Sequence, residues 1–574
     1  MTTPYKDYLP SPTWWLTKID EATFREIYHD SVVMDDIELF RVPPKDDADY
    51  YANYFPSRLF RMCSGLYNIE DKQGNKVGFE FNWAQHMVYS HYLSHPRLII
   101  LKSRQQGIST MWLMMFIDSA ITTSNMSYGL MSQGKKESQT LFTRITTALK
   151  GLPSGVVELL GVNVVKNNSE QISFSNESFM YIATSFRSGT LQGLHISEMG
   201  KISAKYPEKA RETKAGSMQA IGQGLPVIVE STAEGRKNEF YSMWYTAVGY
   251  KGALTTFDFK PVFLSWVNDP DCSIDVEQVA TLEAQEYFVK LEFELTNRTG
   301  KQFRLTPNQK WWWIAKKREI DSDDKAGDMS QEYPAYADEA FESVRDGSYY
   351  ARHYRTHVKD AGREVSDLYD KKLPVYAACD LGKNDMWVTI YFQLHQNLDG
   401  DLEYRIIGEY HNFGEDIEHY VKASMEEKFV IACWYLPHDA SVSDLSVKKT
   451  RAGMFRKYVK KGTKVRVLKV TNSRNNDISM VREAMKYMWF DAEEANYITE
   501  ACYNYSKKWD AINGTWSDSH LHDEWSNPAD ALRYVVMSVK GKVKSGEDED
   551  VGKRMIAERK SRGRRSRRGG SVAV

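Results

Sequence analysis

Cysteine is scarce, with five in 574 residues, at positions 63, 272, 379, 433 and 502. None forms a C-x-x-C pair and none stands at zinc-ligand spacing. That excludes a disulfide scaffold or a thiolate metal module and fits a reduced, cytoplasmic setting. Long apolar runs are missing too. The first twenty residues hold no hydrophobic signal core, and the longest apolar-rich segment, near residue 112, is too short to cross a bilayer, so neither secretion nor a membrane span is expected. Excess charge is also absent, with 75 Lys and Arg against 77 Asp and Glu and a formal net charge of −2. Any contact with nucleic acid must therefore come from local patches. What is present is ordinary for a globular chain: 42% hydrophobic and 26% charged residues, with length enough for two or three domains. Tryptophan is plentiful at 15, but Trp311, Trp312 and Trp313 lie on a predicted helix and read as packing residues rather than base-stacking platforms.

One stretch organises the rest. Leu98 to Leu101 reads as a buried parallel strand and Met111 to Ile121 as the following helix, with Lys102-Ser103-Arg104-Gln105-Gln106-Gly107-Ile108-Ser109-Thr110 between them. A glycine lets backbone N–H groups close around phosphate oxygens, the helix start offers its positive end, and a hydroxyl can hold Mg2+, so Gly107 and Ser109 fit a nucleotide loop. Aligned on Gly107 in G-x-x-x-x-G-K-[ST], the usual lysine is Ile108 and the usual first glycine is Lys102. Lys102 and Arg104 are the loop's two cations. Taken alone, the stretch also fits a strand-turn-helix with a solvated basic turn.

Upstream, Gln85 opens a predicted helix over 84–94, and its amide can donate and accept at once, as an adenine edge requires. Downstream, strands at 128–131, 172–174 and 179–183 and a helix at 135–149 mark an α/β sheet. A turn with Arg187, Ser188 and Gly189 follows. Leu194 to Glu198 stands where an acidic Walker B strand belongs, with Ser197-Glu198 in place of Asp-Glu. Glu198 can polarise an attacking water, whereas Ser197 offers Mg2+ only a neutral hydroxyl; an exposed Glu after an edge strand reads the same. The strand from Leu225 to Glu230 ends in Ser231-Thr232-Ala233-Glu234-Gly235, two hydroxyls able to sense a γ-phosphate. From about 256 to 355 the pattern is helical, with Thr306 as cap, Pro307 at the first position and Gln309 completing a capping box. The polar stretch 359–372 reads as a linker.

A second sheet begins at Val375 to Asp380, with Asp385 and a strand over 387–392 next. A turn at Asp399-Gly400 leads to a strand over 403–410, a helix near 415–427 and the run Val430 to Leu436, which ends at His438-Asp439. A strand over 464–470 and a helix over 478–489 follow, and Asn527 and Pro528 open a last helix that carries Asp530. This order of elements is that of a ribonuclease H-like fold. Asp380, Asp439 and Asp530 would meet there, and three gathered carboxylates call for two divalent ions, Mg2+ or Mn2+, with His522 and Asp523 as further ligands. Each aspartate alone is equally a turn or cap residue. Beyond Lys544 an acidic knot, Glu547 to Asp550, precedes a tail with nine Lys or Arg against one Glu from 551 to 574. Such a tail is expected to be disordered and able to hold DNA or a partner by charge, or simply to be solvated.

Glutamine, phosphate loop, acidic strand and S-T-A-x-G in this order, then His522 to Tyr534, resemble the large terminase subunits of tailed bacteriophages over roughly residues 80 to 540. The resemblance implies an ASCE-type P-loop ATPase followed by a ribonuclease H-like nuclease. Residues 1–75 would be a partner-facing region, 76–358 the ATPase with a helical lid over 256–355, 373–540 the nuclease and 541–574 the tail. In that family the loop lysine can move to the front, as Lys102 would, and a glutamine before the loop reads the base, as Gln85 would. The segments Gln331 to Tyr336 and Asp338 to Phe341 resemble the end of its ATPase region. ATP, Mg2+, double-stranded viral DNA, a small terminase subunit, a portal ring and a ring of like subunits, often five-fold, are implied, in host cytoplasm and transiently on the procapsid. Two other classes fit parts of the chain: a repair helicase-nuclease, and a docking subunit whose Walker motifs have eroded at Ile108 and Ser197.

Overall fold

The computed structural model describes residues 21–28 and 45–543, apart from 72, 169, 185, 187–189, 323–327, 343–346, 383–385, 427–428, 442, 445–448, 470–472, 511 and 514. The turn at Arg187 to Gly189, Asp385 and the tail from 544 lie outside the described residues. By internal contacts the chain forms two units, Met1–Ser343 and Val344–Val574. Among the described residues no helix is long and apolar enough to cross a membrane, and the five cysteines are buried and unbridged.

The first unit is built on eight strands: β1 (Arg97–Lys102), β2 (Ser127–Met131), β3 (Val164–Asn167), β4 (Gln171–Phe174), β5 (Phe179–Ala183), β6 (Gly193–Ser197), β7 (Val227–Ser231) and β8 (Lys260–Leu264). Their spatial order is β8-β1-β7-β6-β2-β5-β4-β3. The strands from β8 to β5 run parallel, and β4 and β3 are antiparallel additions. Strand β7 separates the loop strand β1 from the acidic strand β6, which is the ASCE arrangement. Both faces of β1 are covered, so its residues read as one apolar run. Leu98 and Ile100 pack with one core cluster, Ile99 and Leu101 with another.

Helix α1 (Trp83–Ser94) precedes β1, α2 (Ile108–Thr122) follows the loop, and α3 (Met199–Lys205) follows β6. The described residues before 76 do not stand apart: Phe24, Tyr28, Tyr50 and Phe60 belong to the core cluster that holds Leu98 and α2. Arg61 reaches both oxygens of Asp118 on α2, at 2.7 and 2.9 Å, and Tyr67 donates to the same carboxylate at 2.7 Å. The segment expected to be helical from 256 contains a strand, β8, which extends the sheet beside β1. Beyond it α4 (Leu282–Thr299) is capped by Thr281 and α5 (Pro307–Asp321) by the Thr306/Gln309 box. Trp312 stacks on Trp266 and Trp313 on Tyr287, as packing residues.

The main sheet of the second unit has seven strands: β9 (Glu364–Val365), β10 (Val375–Asp380), β11 (Trp387–Gln396), β12 (Leu402–Asn412), β13 (Ile431–Leu436), β14 (Lys464–Val467) and β15 (Met488–Asp491). Their order is β9-β15-β12-β11-β10-β13-β14. Only β11 runs against its neighbours. A meander followed by parallel strands on the far side of β10 is the ribonuclease H-like topology. Two expectations are corrected. The stretch 359–372 is not a free linker, because Glu364 and Val365 pair with Phe490 and Asp491. The helix expected over 478–489 is α6 (Arg474–Ala484), and its last residues instead turn into β15. Helix α7 (Ser526–Val543) starts before Asn527, whose side chain donates to Met386 O at 2.7 Å rather than capping.

Candidate active sites

At the C-terminal end of β1 the chain must turn from strand to helix within a few residues. Gly107 does so at φ +73°, and a Cβ there would lie 2.8 Å from Gln85 Nε2. Gln105 and Glu198 adopt the left-handed region without being glycine, at φ 62° and 59°, a cost of about 1–2 kcal/mol each that is commonest where geometry serves function. The loop is braced on three sides. Asn82 and Gln85 form the capping box of α1, Asn82 Nδ2 donates to Gln106 O at 3.1 Å, and Gln85 Nε2 donates to Gly107 O at 2.9 Å. Ser103 N donates to Leu264 O at 3.0 Å, which ties the loop to the end of β8. Arg104 meets Glu332 twice, main chain to main chain at 2.7 Å and Nη1 to Oε2 at 3.1 Å. Gln106 Nε2 donates to Asp269 at 2.7 Å. The segment Gln331 to Tyr336, whose role the sequence left open, is thus a prop for the loop. Gln85 Oε1 accepts from Asn82 N at 2.9 Å, so both ends of its amide are spent on this brace.

Lys102 is buried, with Nζ 3.5 Å from Glu198 Oε1 and 3.7 Å from Glu230 Oε2. Burial opposes its charge, but the two carboxylates outweigh that and hold the ammonium above its ordinary pKa. Ile108, where a lysine is usual, lies in the apolar core. Ser109 donates to Glu230 and sits 3.2 Å from Ser197 Oγ, while Thr110 Oγ1 accepts from Arg144 at 3.4 Å. Glu198 also pairs with Lys201 at 3.1 Å. Burial pushes its carboxyl up, Lys102 and Lys201 pull it down, and the net shift is downward. Ser231 accepts from Gly200 N at 2.9 Å, and the buried Thr232 hydroxyl has no hydrogen-bond partner.

In sequence Glu230 reads only as a strand end and, with Glu234, as a stand-in for Glu198. In the fold Glu230 is fully buried, and its Oε1 is also 3.0 Å from His195 Nε2. Burial pushes its pKa up, yet Lys102, His195 and Ser109 bring it down to about 2. Only the register carries the signal, because Ser197 stands opposite Glu230 and Leu101 opposite Ser231. Lys102, His195, Ser197 and Glu230 therefore share one face of the sheet.

In the second unit Asp380 ends β10, Asp439 lies in the turn His438–Ser441 after β13, and Asp530 in the first turns of α7. Burial, then Asp530 and Asp439, push the Asp380 carboxyl well above its ordinary range, so the three share one field. Arg474 Nη2 reaches both oxygens of Asp530 at 2.6 and 2.5 Å, and Arg533 lies 3.4 Å away. Arg451 is 3.4 Å from Asp439 Oδ2, while Asp439 Oδ1 is buried without a hydrogen-bond partner. Among the described residues no three His, Cys, Asp or Glu are already drawn together as a metal-binding set. His522 turns to Ser526 at 3.1 Å, and Asp523 accepts from Trp525 N at 3.1 Å at the start of α7.

No family model and no curated protein matches the sequence. Solved structures do. The chain is similar to the large terminase of a thermophilic bacteriophage in complex with ADP, 14% identical over 79% of this chain and 98% of that one, TM-score 0.25. It is similar to the HK97 bacteriophage large terminase, 12% identical over 84% and 99%, TM-score 0.37. It is also similar to the large terminase nuclease domain of bacteriophage SPP1 with bound Mn, 13% identical over 30% and 89%, TM-score 0.23.

Proposed function

We propose that this chain is the large terminase subunit of a tailed bacteriophage, an ATP-driven motor that moves double-stranded DNA into a procapsid, joined to a metal-dependent endonuclease that cuts it. What carries the reading is the pairing, in one chain, of an ASCE sheet whose loop end gathers Lys102, Ser109, Glu198 and Glu230 with a ribonuclease H-like sheet whose strand and helix ends bring Asp380, Asp439 and Asp530 into one field. The motif order along the sequence supports the same reading.

In the first site Lys102 and Arg104 bind and stabilise phosphate, Gln85 holds the loop through Gly107 O rather than reading the base, and Glu198, set just past its strand end, orients and deprotonates the attacking water. Ser231 and Thr232 stand where loss of the γ-phosphate is felt. Glu230 takes the Ser109 hydroxyl on one carboxylate oxygen and has no hydrogen-bond donor on the other, which suits a cation there, and Mg2+ when bound would neutralise the phosphate oxygens. In the second site the partnerless Asp439 oxygen and the repulsion on Asp380 likewise suit divalent ions; Asp380, Asp439 and Asp530 would hold them, and they would activate water and stabilise the leaving oxygen.

The test uses the purified full chain. DNA-stimulated ATP hydrolysis together with chelator-sensitive cleavage of plasmid DNA is the expected result. Absence of hydrolysis in a folded, nucleotide-free preparation would favour a docking subunit, and unwinding of forked DNA would favour a helicase-nuclease.

A further inference from the structure

We propose that Glu230, one strand away from the expected position, supplies the carboxylate for the magnesium of a bound nucleotide, an inference that rests on the ATPase reading above. In phosphate-loop enzymes the ion is held by the loop Ser or Thr together with an aspartate at the end of the acidic strand. Here that aspartate is Ser197, whose hydroxyl carries no charge.

The sheet provides a substitute. β6 and β7 pair in parallel with Ser197 opposite Glu230, so the two side chains leave the same face about 4.8 Å apart. Strand β7 is also the direct neighbour of β1, which places Glu230 nearer the loop than residue 197. The contacts follow this geometry. Ser109, the loop hydroxyl, donates to Glu230 and is in turn hydrogen-bonded to Ser197 at 3.2 Å. His195 fixes Oε1 from below at 3.0 Å. Oε2 is buried without any hydrogen-bond donor, and the nearest cation, Lys102 at 3.7 Å, is shared with Glu198. Two carboxylates thus share one ammonium, and a fully buried carboxylate short of positive charge is costly unless a further cation completes it. The plainer role, a counter-ion for Lys102, accounts for the charge but not for the approach of Ser109.

The experiment measures the affinity of the full chain for a fluorescent, slowly hydrolysed ATP analogue, once in Mg2+ and once in EDTA. The native protein should bind more tightly in Mg2+. Measured as the ratio of Mg2+ to EDTA affinity within each protein, the tightening should fall by about tenfold or more in Glu230→Gln, and Ser197→Asp added to Glu230→Gln should restore it by returning the carboxylate on the adjacent strand. A counter-ion role would leave the Mg2+ step intact. An unchanged step in Glu230→Gln, or no recovery in the double variant, overturns the proposal. If melting shows Glu230→Gln unfolded, Glu230→Asp takes its place: the charge stays, the reach shortens by one methylene, the same drop is expected, and an unchanged step overturns it. A native chain that binds the analogue under neither condition defeats the ATPase reading itself.

Discussion

Lys102 and Ile108 divide between them what one residue usually does in such a loop. Lys102→Ala removes the cation that faces two carboxylates, and kcat for ATP hydrolysis should fall by about 100-fold or more in protein that still melts cooperatively. Ile108→Ala opens the core and should cost about 2–5 kcal/mol of stability, yet its folded fraction should turn over ATP nearly as before. Near-normal turnover in the Lys102 variant would remove the front lysine from the mechanism. Glu339 gives a second test at this scale. It is buried, accepts from Ala335 N at 2.6 Å and Tyr287 Oη at 2.9 Å, and burial outweighs these donors to raise its pKa to about 7. Because the folded-state value lies above the unfolded one, its contribution is fully present below about pH 4.5 and is lost as pH rises through about 7. The loss by pH 8 amounts to about 3 kcal/mol. Glu339→Gln, which keeps both partners and never ionises, should raise Tm at pH 8 and change it little at pH 5, as thermal melts at the two pH values would show.

Among elements, the ones with strong periodicity were plain from sequence, and the ones decided by tertiary context were not. Strands β1, β2, β6 and β7 are apolar runs bounded by polar turns, and all four were expected within two residues or so. β8 was hidden because Lys260-Pro261-Val262-Phe263-Leu264 is short and holds a proline; it pairs only with β1, and proline is tolerated at such an edge. β15 was hidden because the helical pattern of α6 runs on through Trp489 in sequence but not in space. Glu198, Asp380, Asp439 and Asp530 stand in the fold where the sequence pattern put them, at or just past strand ends or in the first turns of a helix. The place of Glu230 beside the loop was not legible, since only pairing with Ser197 and contact with Ser109 distinguish it from any polar residue at a strand end. The start of the second unit was misplaced for a similar reason: Tyr350, Tyr354 and Val358, buried in its core, precede the polar stretch that looked like a linker. A fragment over 344–543 should therefore fold alone. One over 372–543, lacking those side chains and β9, should be less stable by several kcal/mol, about 2–3 per lost aromatic, which urea titration of the two fragments would resolve.

For the whole molecule, two chemistries on two sheets should answer to separate substitutions. Asp380→Asn in the full chain should abolish metal-dependent cutting of plasmid DNA and leave ATP hydrolysis within about twofold, while Glu198→Gln should bind ATP, hardly hydrolyse it, and still cut. A folded Asp380→Asn protein that loses both activities, or keeps cutting, would falsify this division. Within the first unit one junction has a mechanical meaning. Gly200, just after Glu198, has no room for even a methyl group: a Cβ would stand 2.6 Å from Thr232 O and 2.7 Å from Ser231 Oγ. Two machine parts fitted this closely have no backlash. A fraction of an ångström of travel at the strand end bearing Ser231 would be passed on to α3 without slack.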